Sequence, residues 1–231
     1  MKRAAFALLL ALWPGLAAAQ DACRLALMLA LDVSASVDAA EYALQQQGLQ
    51  QALLAPEVQR AFLNGPGPVA LSVFEWSGRF QQDLLVDWIM IQSEADLLSA
   101  AEAVGQGVRR STDFPTAIGY AIGFAASQFA SAPPCLFQTL DISGDGQNND
   151  GFPPGSAYAH FPMEGVTVNG LAIGGAQRQI AEYYEDEIIQ GPGAFVEYAA
   201  NHQDFANAMR RKLERELGVM ILGGVAAPQA P

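Results

Sequence analysis

The chain has 231 residues, 51% of them apolar and only 16% charged, with 24 acidic side chains against 12 basic ones. That composition excludes a disordered polymer and supplies enough apolar surface for one buried core. A net charge of −12 also argues against a nucleic-acid or anionic-membrane partner, because neutralising phosphates needs a basic footprint that is missing here.

Residues 1–20 read as an export signal. Lys2 and Arg3 form a positive start, residues 4–12 a short apolar run, and Ala17, Ala18 and Ala19 the small residues before a cleavage point. The run is too short to span a bilayer, so the expectation is a periplasmic or secreted protein with no membrane insertion after cleavage. Removing Lys2 and Arg3 leaves 10 basic residues against the same 24 acidic ones, a net charge of −14. The residues before Cys23 lack the character of a lipobox. Cys23 and Cys135 are the two cysteines. In an oxidising compartment an even pair invites a disulfide, with two buried thiols as the alternative.

Residues 24–31 form a continuous apolar run ending at Asp32, which suits a strand buried on both faces of a parallel sheet. Asp38 with Glu41 reads as a capping box opening a helix that turns Tyr42, Leu49 and Leu53 to one side. Residues 69–76 and 80–91 read as two strands joined by a hairpin at Ser77, Gly78 and Arg79. Ser93 opens another helix, with Leu97, Ala101 and Val104 inward. A helix is expected over 116–130, ended by Pro133 and Pro134. Strands follow at 136–143, 166–173 and, at an edge, 194–199. The last helix, near 203–217, sets Phe205, Met209, Leu213 and Leu217 at intervals of four, with Arg210, Arg211, Lys212 and Arg215 read as its outer face. Alternating strands and helices with one early hairpin predict an α/β doubly wound sheet, mostly parallel with one antiparallel edge strand and helices on both faces. One domain is expected over residues 21–220, followed by a tail at 221–231.

The chemistry-bearing residues cluster at strand ends. Asp32-Val33-Ser34-Ala35-Ser36 places a carboxylate and two hydroxyls on one turn, where they can converge on a hard cation. Thr116 and Asp145 arrive at matching places, and ligands of open α/β sheets bind beyond the carboxyl ends of the strands. This set, with Thr116-Ala117-Ile118-Gly119 and Ile142-Ser143-Gly144-Asp145-Gly146, resembles the metal-ion-dependent adhesion site of von Willebrand factor type A domains over residues 25–217. The stretches 143–149 and 191–196 also resemble an uncharacterised family of exported bacterial A-domain-like proteins.

The resemblance implies that Ser34, Ser36 and Thr116 touch a Mg²⁺, or Mn²⁺ or Ca²⁺ in its place, while Asp32 and Asp145 act largely through water. It implies an open position that receives an acidic residue of a protein partner, and a binding module rather than an enzyme. Thr112 competes with Thr116 as the hydroxyl donor, and Asp141 reads as a buried carboxylate beside the site. The same topology makes the strands that follow Cys23 and Cys135 parallel neighbours, which brings the two sulfurs within disulfide reach. Alternative readings are a hydrolase that uses the same cation to activate water, and a structural domain with a vestigial site.

Other signals are weaker. Residues 146–151 depart from the EF-hand pattern and read as a polar turn. His160 and His202 lack zinc spacing and read as surface or cap residues. The acidic stretch 182–187 reads as a solvated helix face. Phe74, Trp76, Trp88 and Tyr120 read as packing residues.

Overall fold

The computed structural model describes residues 22–110, 112–174 and 178–223, with side chains described as far as Gly218. The expected export signal (1–20) and residues 224–231 of the expected tail lie outside the described residues.

Six strands form one sheet: β1 (Cys23–Asp32), β2 (Val69–Trp76), β3 (Gln82–Ile91), β4 (Cys135–Gly144), β5 (Val166–Ile173) and β6 (Val196–Ala199), in the order β3-β2-β1-β4-β5-β6. Only β3 runs antiparallel, at one edge, and it returns from β2 through the loop 77–81. Every residue of β1 is buried, which explains why its sequence is a continuous apolar run rather than an alternating one.

Its two faces feed two cores. Leu25, Leu27, Leu29 and Leu31 belong to the layer containing α1 (Ala39–Leu53), α2 (Pro56–Leu63), α3 (Glu94–Gly105) and α7 (Phe205–Gly223). Ala26, Met28 and Ala30 belong to the layer of α4 (Ile118–Phe129), α5 (Pro154–His160) and α6 (Gln179–Tyr183), with the π-helical turn Tyr184–Ile188 that continues α6. Small residues on that face of β1 admit the larger Phe74, Trp76 and Tyr184, all fully buried.

Chain order reverses between β1 and β4. The chain first winds outward through β2 and β3, then returns to the other side of β1 and winds through β4, β5 and β6. The carboxyl ends of β1 and β4 therefore open onto the crevice where such sheets take ligands. At the other end, Cys23 and Cys135 are register partners and form a disulfide. Close by, the buried Arg24 donates to the carbonyls of Ala61, Phe62, Gly67 and Leu217, tying the end of α2 and the C-terminal half of α7 to the start of β1.

Several elements differ from expectation. The helices α2, α5 and α6 have short, Pro-led or polar sequences without a long apolar period, so sequence periodicity does not show them. α4 begins at Ile118 rather than at Thr116, because Asn149 engages both backbone groups of Thr116 and holds it outside the helix. α7 follows a single 3-10 turn, His202–Asp204, and continues to Gly223.

Lys212 corrects the reading of α7's outer face: it is fully buried. Its Nζ lies 3.1 Å from Asp141 Oδ1 and 2.7 Å from Glu216 Oε1, and Asn169 Nδ2 donates to that same Glu216 oxygen. Glu216 supplies the counter-charge that makes the buried ammonium tolerable, Asp141 adds a second oxygen, and with Asn169 the cluster joins α7 to β4 and β5. Asp141 is buried as expected, and burial pushes its carboxyl up to about 8 against the opposing pull of Lys212, with Glu216 adding to the rise.

Candidate functional site

The turn after β1 is held from several sides. Val33 N–H donates to Trp76 O, Ala35 N–H to Phe114 O, and Val37 N–H to Ser34 O. Arg109 Nη2 donates to the carbonyls of Val33 and Ser34, both at 2.9 Å, and Gln45 Nε2 donates to Asp32 O. Asp38 caps α1 with the capping box read from the sequence.

This frame brings together all five residues singled out at the strand ends. Thr116 Oγ1 donates to Ser34 Oγ at 3.2 Å, Ser34 Oγ lies 3.1 Å from Ser36 Oγ, and Ser36 Oγ donates to Asp145 Oδ1 at 2.6 Å. Asp32 sits beneath, with Oδ1 accepting from Ser34 N–H at 2.8 Å. Its other oxygen, Oδ2, is buried with no hydrogen-bond partner among the described residues. Thr112 is exposed, whereas Thr116 is buried against Ser34.

Asp32 is fully buried, and its carboxyl is pushed up to about 7. Burial is the main cause and the nearby charge of Asp145 the next, while hydrogen bonds from Ser34 and the charge of Arg109 pull the other way. An isolated buried carboxylate with a free lone-pair face is costly unless a proton or a cation meets it. Arg109 does not fill that role by contact, since its Nη2 hydrogen bonds go to backbone carbonyls. Three hydroxyls and two carboxylates make an oxygen-only donor set, the chemistry that suits a hard divalent cation. The residues present therefore fit such an ion.

Some contributors carry no sequence signal. Tyr184, at the start of the π-helical turn, is fully buried, and burial with the charges of Asp32 and Asp145 raises its phenol well above the ordinary range. Its ring lies where a side chain on Gly170 would be, since a Cβ there would come 2.6 Å from Cδ1. Asn148 and Asn149 of the polar turn are structural, accepting from Gly119 N–H and Thr116 N–H at the start of α4. His160 is exposed, as expected. His202 is not a surface residue: it is 6% exposed and faces Glu41, Nδ1 to Oε1 being 3.2 Å. One ligand atom from each of Glu41, Asp145 and His202 lies within 4.8 Å of the others.

A family profile described as "Protein of unknown function (DUF1194)" matches residues 22–221. The chain belongs to that family. Among solved structures it is similar to proximal thread matrix protein 1 of the mussel byssus, with 15% identity over 86% of this chain and 49% of that one, at a TM-score of 0.63. A second structure of that mussel protein, described as having a zinc-occupied adhesion-site motif, matches at 17% identity over 86% of this chain and 49% of that one, TM-score 0.60. A von Willebrand factor type A structure from Catenulispora acidiphila matches at 17% identity over 85% of this chain and 43% of that one, TM-score 0.57. These likenesses establish the fold, a von Willebrand factor type A arrangement. This chain spans about half the length of the mussel protein, 49%. No curated protein matches the sequence.

Proposed function

We propose that this DUF1194 domain is an exported, non-catalytic binding module that holds a divalent cation at its sheet edge and engages a carboxylate of a protein partner through it. Ser34, Ser36 and Thr116 would hold the ion directly, with Asp32 and Asp145 orienting its waters. When bound, the cation supplies an electrophilic position that hydroxyl ligands leave under-neutralised, so an incoming carboxylate is attracted strongly. The preferred ion is Mg²⁺, with Mn²⁺ or Ca²⁺ able to replace it in an oxygen-only site.

The observation that carries this reading is the convergence of Ser34, Ser36, Thr116 and Asp145 over the buried, unpartnered Oδ2 of Asp32. The protein's own part is to present these oxygens rigidly: Arg109 pins the turn from below, and Asn149 fixes Thr116. Ser36 is exposed and Asp145 partly so, which leaves the site open to a macromolecule. A cavity of about 490 Å³, lined by Phe62, Gly65, Met90 and Ile91 among others, lies at the opposite end of the sheet, away from Asp32. The zinc-occupied adhesion-site motif of the mussel protein, which shares this fold, supports metal binding here. The disulfide supports an oxidising compartment, and no described helix is long and apolar enough to cross a membrane.

The test is thermal denaturation with and without Mg²⁺ or Mn²⁺, for the wild type and Ser34→Ala. The ion should raise the wild type's Tm and leave the variant's unchanged while both fold. An equal response in both would overturn the assignment. Capture of an envelope protein that requires divalent ions and is lost in Asp145→Ala would establish the partner. Turnover of an ester or phosphoester that is abolished by Ser36→Ala would instead make the domain a hydrolase.

A further inference from the structure

We infer that the domain has a second cation site beside the serine-rich one, built from Glu41, His202 and Asp145, and that it takes a transition ion such as Zn²⁺ rather than Mg²⁺. Three separate elements supply it. Glu41 stands in the first turn of α1, Asp145 just past β4, and His202 in the 3-10 turn that opens α7.

Each carboxylate is oriented through one of its oxygens by a group outside the cluster. Glu41 Oε2 accepts from Asp38 N–H at 2.8 Å, which turns Oε1 to within 3.2 Å of His202 Nδ1. Asp145 Oδ1 accepts from Ser36 Oγ, leaving its second oxygen unengaged by any hydrogen bond among the described residues. Such outer partners orient ligands ahead of an ion's arrival. The 3-10 turn carrying His202 is itself fixed, with Asn201 Oδ1 accepting from Gln203 N–H and Asp204 N–H.

The independent observation is the imidazole. His202 is more than nine-tenths buried, its Nδ1 faces Glu41 Oε1, and its Nε2 has no hydrogen-bond partner among the described residues, so no hydrogen bond from outside the cluster holds the ring. Among the described residues, no Lys or Arg forms an ion pair with Glu41 or Asp145. Two carboxylates and a buried imidazole thus converge without a resident cation. Imidazole nitrogen with carboxylate oxygens is a donor set for Zn²⁺ or Mn²⁺, whereas Mg²⁺ prefers oxygen alone. The two sites share only Asp145, so this inference does not otherwise rest on the carboxylate-binding reading.

Zinc titration of the purified protein, with zinc-edge X-ray absorption on the wild type, tests it. We expect an equivalent of Zn²⁺ whose absorption fine structure shows imidazole scattering. His202→Gln should weaken that equivalent by about 100-fold or more, at or beyond the range for losing supporting groups, and abolish the imidazole signal while keeping the Mg²⁺-induced rise in Tm. Ser34→Ala should do the reverse. Should His202→Gln not fold, Glu41→Gln should likewise weaken zinc binding while keeping the Mg²⁺-induced rise in Tm. Zinc binding unchanged in His202→Gln or Glu41→Gln, or an absorption spectrum without imidazole, would overturn the second site and leave the first untouched. Zinc loss in His202→Gln from a protein that never responds to Mg²⁺ would sustain the second site and overturn the first.

Discussion

Tyr184 and Asp32 each aim at the backbone of Gly144 a buried oxygen that has no hydrogen-bond partner among the described residues. A Cβ on that glycine would lie 2.6 Å from Tyr184 Oη and 2.8 Å from Asp32 Oδ2. The last residue of β4 must therefore lack a side chain for the floor of the site to exist, although Gly144 has no unusual backbone angle.

Gly144→Ala should consequently destabilise the fold by about 1–3 kcal/mol, the usual cost of overpacking a closed interior, and remove the response to Mg²⁺. Tyr184→Phe, which deletes only a buried hydroxyl, should change stability by less than about 1 kcal/mol. Urea denaturation of the metal-free proteins measures both. A loss above 2 kcal/mol (about a quarter of a typical domain's stability) for Tyr184→Phe would show that the hydroxyl has a partner.

The buried ion cluster predicts a pH dependence. Burial pushes the Asp141 carboxyl up from an ordinary 3.8 to about 8, so between those values the folded state holds a proton that the unfolded state has released. Stability therefore falls as pH rises from about 4 to about 8. The groups facing Asp141 are Lys212 and Glu216 of α7, with Tyr184 also feeling its charge. The metal-free protein's Tm should drop by several degrees between pH 5 and pH 8, at roughly 2–4 °C per kcal/mol for a chain of this size. Asp141→Asn leaves Lys212 and Glu216 as a one-to-one pair and should flatten most of that slope. Asp32, raised to about 7, and Glu75, raised by its burial, add to the slope with the same sign.

The disulfide closes a loop of 112 residues that contains β2, β3 and helices α1 to α4. Cys23→Ser with Cys135→Ser should cost about 2–5 kcal/mol, mainly by freeing the unfolded chain. The doubly substituted protein should melt well below the oxidised wild type, and a reducing agent should lower only the wild type's Tm.

Phe80 is 83% exposed at the tip of the 77–81 loop and packs edge-on against Tyr120, one turn along from Thr116. Phe80→Ser should alter stability by no more than about 0.5 kcal/mol. If the partner seats on this side of the metal face, the substitution should weaken divalent-dependent capture at least tenfold, as removal of an interface aromatic commonly does. Unaltered capture would place the contact elsewhere on the rim.

What could be read directly was whatever is encoded over short spans of chain. The apolar run of β1, the Asp38–Glu41 capping box and the Asp32-Val33-Ser34-Ala35-Ser36 turn each announce themselves within a few residues. Resemblance then tied Thr116 and Asp145 to that turn and Cys23 to Cys135, and the structure brings both groupings together.

Tertiary structure alone decided the rest. Lys212 sits in a helical pattern that reads as a solvated face. Glu216 is its neighbour one turn on, and only the packing of α7 against β4 and β5, which brings Asp141 and Asn169 to the pair, buries it. His202 carries no local partner in the sequence. Its meaning comes from Glu41, which a residue separation of more than 150 hides until α1 and α7 pack together. Tyr184 and Gly144 likewise meet only when β4 lies beneath the π-helical turn. Local patterns record the backbone's preferences, whereas the pairing of buried charges and unpartnered oxygens depends on which strands and helices come to lie side by side.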